Sequence, residues 1–325
     1  MFVDSPLVLA LLVSGIIAAV LMLALWLGLD RAVARRLVLG AIIPAVAVAV
    51  PAAIGLPETA RGGVGAALLM LVLGGICGAI MDFAKLSERI TLAVAAVLLL
   101  LGAWLVLAAP VSGLSYHPGA IKVLSWLAFL MVGGAFLWVT RPDFSEDEDT
   151  GDKPAKGKKT KTSKAKATKA ATDAPVVLAD IAKPGPIAVL MTLALGQGII
   201  AHQFNLIDHV VFQAALWIAL IVAVVSEKAA PQYRAAVWLG VVGALMASAA
   251  SAMIVIPASC VAFAVLLLVV SASRAAGSIA GHLPDANPAQ AAVMGMVIRA
   301  GVLALPLVMA ALVAYVAAQA ANGLS

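Results

Sequence analysis

AAVWLGVVGALMASAASAMIVIPASCVAFAVLLLVVSAS, residues 235–273, runs for 39 residues without a charge between Arg234 and Arg274. As one α-helix it would extend about 58 Å, nearly twice the hydrocarbon thickness of a bilayer. The segment is therefore read as two spans folded back on each other, with Pro257, which follows the small polar residues Ser248 and Ser251, at the turn. Proline suits that place because it lacks the N–H a continuing helix needs.

Outward from this stretch the chain keeps the same character, with 64% hydrophobic and 11% charged residues over 325 positions. That balance excludes an ordinary soluble domain and fits a polytopic membrane protein. Backbone groups in hydrocarbon must satisfy one another, and roughly 20 helical residues cross the core. Helices are expected over 6–28, 36–56, 63–81, 91–109, 121–140, 185–203, 209–226, 235–254, 257–273 and 290–318. The first uncharged run, Ser5 to Leu29, exceeds the roughly 7–15 apolar residues of a signal peptide, has no small-residue cleavage site after it, and is kept as a span. Cys77 and Cys260 both lie in apolar runs, which suits packing residues better than a disulfide framework.

The cations orient the bundle. Arg31, Arg35 and Arg36 follow the first helix, Lys85 and Arg89 the third, Lys228 and Arg234 the seventh, and Arg274 the ninth. By the positive-inside rule these loops face the cytoplasm. The expected fold is an all-α transmembrane bundle of about ten spans with both termini outside, in the inner (plasma) membrane. Arg61, Lys122 and Arg299 are single charges near span ends that can snorkel.

Residues 141–183 divide the chain into membrane regions 1–140 and 184–325 of five helices each. An acidic cluster there gives way to lysines spaced among Ala, Thr and Gly, a composition that cannot bury a core. It reads as a disordered cytoplasmic linker that enforces topology, or as an attachment to anionic lipid head groups. No aromatics interleave with the lysines to stack on bases, so nucleic acid is not an expected partner.

Chemistry is sought at the inner loops, because the spans hold almost no ionisable residues and a proton or ion path has few candidates. GAIMDFAKLSERI, residues 78–90, carries Asp82, Lys85, Glu88 and Arg89 at the mouth of a span. GGAFLWVTRPDF ends the fifth helix, VWLGVVGA opens the eighth, AGHLPDANP precedes the tenth and AAVMGMVIRAGVLALPLV forms it. In this order the loops resemble those of the polyprenyl-phosphate N-acetylhexosamine-1-phosphate transferases (glycosyltransferase family 4), the family of phospho-N-acetylmuramoyl-pentapeptide transferase. The family's Gly, Asp-Asp pair and Leu-Ser-x-Arg run correspond to Gly78, Met81-Asp82 and Leu86-Ser87-Glu88-Arg89, so one aspartate of the pair is missing. Gly134, Ala135 and Phe136 stand where the family has Asn-Ala-x-Asn, and Asp143 fits no exact register. Gly240 and Gly243 are kept, with Val241 where the metal-associated aspartate would be, and His282 alone represents a histidine-rich stretch. The Gly-Gly of Arg61-Gly62-Gly63 and the Asn-x-x-Asp of HQFNLIDHV, residues 202–210, match family signatures but fall at outer ends.

The resemblance implies an inner-face site in which carboxylate-held Mg²⁺ brings two phosphates together. It assigns Asp82 as the catalytic and metal residue, and Lys85, Arg89, Arg234, Arg274 and His282 to lipid or phosphate binding. With one carboxylate left, the expectation is a non-catalytic relative, a pseudoenzyme of cell-envelope polysaccharide synthesis that binds membrane lipid, polyprenyl phosphate or an envelope-synthesis protein. The alternatives are an active sugar-1-phosphate transferase using Mg²⁺ and a small-solute transporter. Plainer roles stand beside these. Asp82 can pair with Lys85 or Arg89 across one turn, and cations at inner helix ends occur in any membrane protein. His202, Asp208 and His209 can form an outward metal or proton site, or a solvated turn. His117, beside Tyr116, suits an interfacial loop, and close-set Gly, Ala and Ser suit helix packing.

Overall fold

The computed structural model describes residues 5–30, 33–34, 37–84, 86–108, 118–142, 186–225, 233–280 and 288–323. The linker from 143 onward, Arg31, Arg35, Arg36, Lys85, His117, Lys228 and His282 lie outside the described residues. Those described are helical, without a strand. The helices are α1 (Pro6–Gly28), α2 (Ile42–Ile54, entered through a 3₁₀ turn at Val38–Ala41), α3 (Gly63–Ala84), α4 (Glu88–Leu107) and α5 (Gly119–Thr140), then α6 (Pro186–Gln203) and α7 (Ile207–Val225). They continue as α8 (Ala235–Val255), α9 (Cys260–Leu266), α10 (Leu268–Ala280) and α11 (Pro288–Gly323). Among the described residues eight helices are long and apolar enough to cross a membrane, and two more apolar helices, Val38–Ile54 and Ile187–Gln203, are shorter. The chain is an integral membrane protein of multi-pass type.

The helices before and after the linker interleave in one bundle. α1 and α2 pack on α7, and α3 packs along α8. Ser14 Oγ donates to the Ala215 carbonyl at 2.8 Å, tying α1 to α7 well inside the bundle. α8 forms the centre, with 72% of its membrane window buried against 22% for α1 and α5.

The α3–α8 crossing explains the small residues. Gly74, Gly78 and Asp82 recur every four positions on one face of α3. A Cβ on Gly74 would lie 2.5 Å from the Leu239 carbonyl oxygen, and one on Gly78 would collide with the Ala235 carbonyl. In return, a Cβ on Gly240 would come within 2.9 Å of the Leu71 carbonyl. Backbone thus meets backbone, the geometry small residues permit where the bilayer offers no hydrophobic drive for helix association. α8 contains a π-helical turn at Trp238–Val242 beside this contact. Trp238 is wholly buried rather than interfacial, because its Nε1–H donates to the Leu137 carbonyl at 3.2 Å. That carbonyl is one of the last four of α5, which have no partner within their own helix.

Turns sit where residue chemistry allows them. Ile256 leaves helical geometry (φ −130°, ψ 88°) and Pro257–Ser259 forms a 3₁₀ turn, so the opening 39-residue stretch folds back at Pro257. Between α6 and α7, Asn205 has φ 57°, and the Leu206 N–H donates back to the Ala201 carbonyl at 2.9 Å. Asparagine tolerates this left-handed conformation. Gly62 and Gly63, at φ 75° and 53°, start α3 in conformations that favour glycine.

Candidate functional site

The two ends of the bundle differ in chemistry. At one end α3 finishes where α8 begins, and the N–H groups of Ala235 and Ala236 donate to Asp82 Oδ1 and Oδ2 at 3.1 and 2.9 Å. The first N–H groups of a helix have no intrahelical partner and carry the positive end of its dipole, so a carboxylate there is doubly favoured. Asp82 caps α8 from a neighbouring helix. Two N–H bonds do not exhaust the four lone-pair sites of a carboxylate, but a single carboxylate is a weak hold for octahedral Mg²⁺. Among the described residues no three His, Cys, Asp or Glu side chains gather as a metal-holding group. The residues present therefore do not fit Mg²⁺, and no step is derived through it.

The cations expected around Asp82 are spread over this end. Arg234 is half-buried at the N-cap of α8, Arg89 is exposed at the start of α4, and Arg274 is exposed on α10, which packs against α6 and α11. Glu88 pairs with Arg141 at 3.2 Å across the surface, and the Arg141 guanidinium stacks 4.2 Å from the Trp138 ring. Tyr233 precedes Arg234 with its hydroxyl buried and without a hydrogen-bond partner among the described residues, and burial pushes its phenol above the usual range. Val241 is fully buried inside α8.

Toward the other end lies a polar cluster that inspection of ionisable residues overlooks. Gln197 of α6 and Gln213 of α7 stand equally far from the Asn205 turn, so the hairpin brings them level. Gln213 Nε2 donates to Gln197 Oε1 at 2.8 Å and to Ser248 Oγ of α8 at 3.0 Å. Ser248 Oγ lies 3.0 Å from His209 Nδ1, so a hydroxyl that accepts from Gln213 can donate to the imidazole. All four side chains are buried, and Gln213 Oε1 is enclosed with no partner among the described residues. Such an orphaned acceptor costs about 1–3 kcal/mol. Gln197 lies six residues before the end of α6, roughly 9 Å below it at helical rise. His202 and Asp208 are exposed at that end, whereas His209 turns inward.

Gln197 also lines a cavity of about 550 Å³ bounded by α5, α6, α8, α9 and the end of α4. The wall is apolar, with Phe129, Phe136 and Phe263 contributing rings and Met246 and Met253 flexible side chains. Ser125 lines it too, but its hydroxyl donates to the Ile121 carbonyl of its own helix at 2.9 Å. Val132 of α5, 51% exposed, and the exposed Cys260 of α9 stand on its rim, so the cavity opens sideways between those helices. It extends from Ile121 and Pro257, at the end remote from Asp82, down to Phe136 and Leu193. It is not lined by Arg89, Arg234 or Arg274. Comparison of the chain with protein-family models, with curated proteins and with solved structures finds no match.

Proposed function

We propose that this protein is a non-catalytic, lipid-binding membrane component, a divergent relative of the polyprenyl-phosphate sugar-1-phosphate transferases, with its ligand's hydrocarbon portion in the cavity between α5 and α9. The observation that carries this reading is the cavity itself: about 550 Å³, apolar, and open sideways where a membrane-embedded bundle meets lipid. Leaving the bilayer for such a cavity brings a chain no hydrophobic gain, so selectivity rests on shape and close packing. The hydrogen bonds from two backbone N–H groups to Asp82 support a structural, helix-capping part for that residue. By the positive-inside rule the Asp82 end is cytoplasmic, and Arg89, Arg234 and Arg274 there suit anionic head groups, polyprenyl phosphate among them, separately from the cavity.

Cys260 supplies the test, because its exposed thiol stands on the rim. In a Cys77→Ala background reconstituted in nanodiscs, a membrane-permeant maleimide labels Cys260, and a C15 isoprenyl probe at four times its dissociation constant slows labelling about fivefold. Ala128→Trp, an exposed position on the α5 wall, fills the mouth and returns the rate to its unprotected value. Equal rates with and without probe in the parent protein would sink the reading. The enzyme alternative is checked separately: with Mg²⁺, polyprenyl phosphate and a panel of UDP-sugars, no UMP is expected, and its release would establish a transferase.

A further inference from the structure

A polar side chain in the cavity wall narrows the ligand. Gln197 is 7% exposed and its carbonyl oxygen is occupied by Gln213. Its amide nitrogen has no hydrogen-bond partner among the described residues, and it is not enclosed as Gln213 Oε1 is. Gln197 is among the residues that line the cavity. Reversing both amides would enclose the Gln213 NH₂ where its carbonyl oxygen now lies, and orphaned N–H groups are rarer than under-satisfied C=O groups, which favours the present orientation. With Gln213 donating to both Gln197 Oε1 and Ser248 Oγ, the serine hydroxyl serves His209, and the NH₂ of Gln197 is left over for the cavity. Amide N–H donors in hydrocarbon gain from any acceptor brought to them, since no water competes.

Resting on the lipid-binding reading above, we propose that the cavity takes a neutral, carbonyl-bearing lipid of the quinone class, one ring carbonyl accepting from the Gln197 amide. Four features select this chemistry. The wall supplies a donor, so the ligand must offer an acceptor. Among the described residues no Lys, Arg or His lines the cavity, which disfavours a carboxylate or phosphate taken out of water. The donor lies roughly 9 Å below the end of α6, a depth at which an uncharged ring carbonyl is at ease and a hydrated head group is not. Phe129, Phe136 and Phe263, with Met246 and Met253, give flat and adaptable surfaces to a ring. The proposal concerns binding alone, with no electron transfer.

The experiment uses the full chain in nanodiscs and a diazirine-tagged, fully substituted decyl-benzoquinone. Crosslinks mapped by peptide mass spectrometry are expected on α5, α8 and α9. Untagged decyl-benzoquinone should compete at roughly three- to tenfold lower mole fraction than dodecane, the factor one hydrogen bond in hydrocarbon supplies. Gln197→Leu should bring the two competitors to parity while alkane competition persists, and Ser271→Ala, an exposed hydroxyl on α10 outside the cavity wall, should change neither. Should the leucine variant fail to fold, the competitor ladder on the parent protein still decides. Parity there, or tighter competition by decyl phosphate or decanol, overturns the quinone class but leaves a lipid cavity. Crosslinks confined to other surfaces overturn both.

Discussion

Gly78→Ala is expected to destabilise the folded protein by about 3 kcal/mol or more, toward the upper end of what overpacking costs. The added methyl would meet the Ala235 carbonyl and the Ala236 Cα, atoms of a backbone that no rotamer change can move aside. α8 would have to withdraw along the crossing, and because it is the most buried span, every neighbour would follow. Gly74→Ala should behave alike, with its methyl 2.5 Å from the Leu239 carbonyl oxygen. Gly134→Ala is the control. Its nearest neighbour would be Leu99 Cδ2 at 3.8 Å, ordinary contact, so the gain in helix propensity leaves stability equal or slightly raised. Steric-trap unfolding in detergent measures all three. Wild-type stability for Gly78→Ala would contradict the backbone contact.

Asp82→Ala should cost about 2–4 kcal/mol, the loss of two hydrogen bonds to a charged acceptor at half-buried N–H groups. Asp82→Asn, which keeps one acceptor oxygen and loses the charge, should cost about half as much. A side chain serving only a metal would leave unfolding unchanged on either substitution, so the same assay separates the roles. Since Gly78 and Asp82 address the same turn of α8, the double variant Gly78→Ala/Asp82→Ala should cost less than the sum of its parts. Once α8 has withdrawn, its N–H groups are out of reach of the carboxylate.

Much of the fold was legible because hydrocarbon enforces simple rules. Long uncharged runs had to be helices, and Pro257 marked the reversal that the structure places there. Boundaries moved where local chemistry intervened. α4 begins at Glu88, behind Ser87, three residues before the first apolar run suggested, and α11 spans Pro288–Gly323, beyond both ends of the expected 290–318. The site was less legible. Asp82 stood out as a charge at a span end, but the groups it binds are main-chain N–H of residues more than 150 positions away, which side-chain identities do not announce. The spacing of Gly74, Gly78 and Asp82 was the available signal, since a carboxylate one turn beyond two close-approach glycines can reach the facing backbone. Gln197 and Gln213 carry no titratable group to mark them, and Ser248 reads in the sequence only as a small polar residue ahead of Pro257. Two glutamines equidistant from Asn205 announce a level pair in a helical hairpin. The apolar cavity left no mark in composition, because its wall residues are the same Leu, Met, Phe and Ala that fill the rest of the bundle.

The sideways mouth between Val132 and Cys260 changes what concentration means for this protein. A guest arriving through it never enters the aqueous phase, so its supply is counted per leaflet area and its search is a diffusion in two dimensions. Diluting a suspension of proteoliposomes with buffer would leave occupancy untouched, whereas fusing them with empty vesicles would drain it.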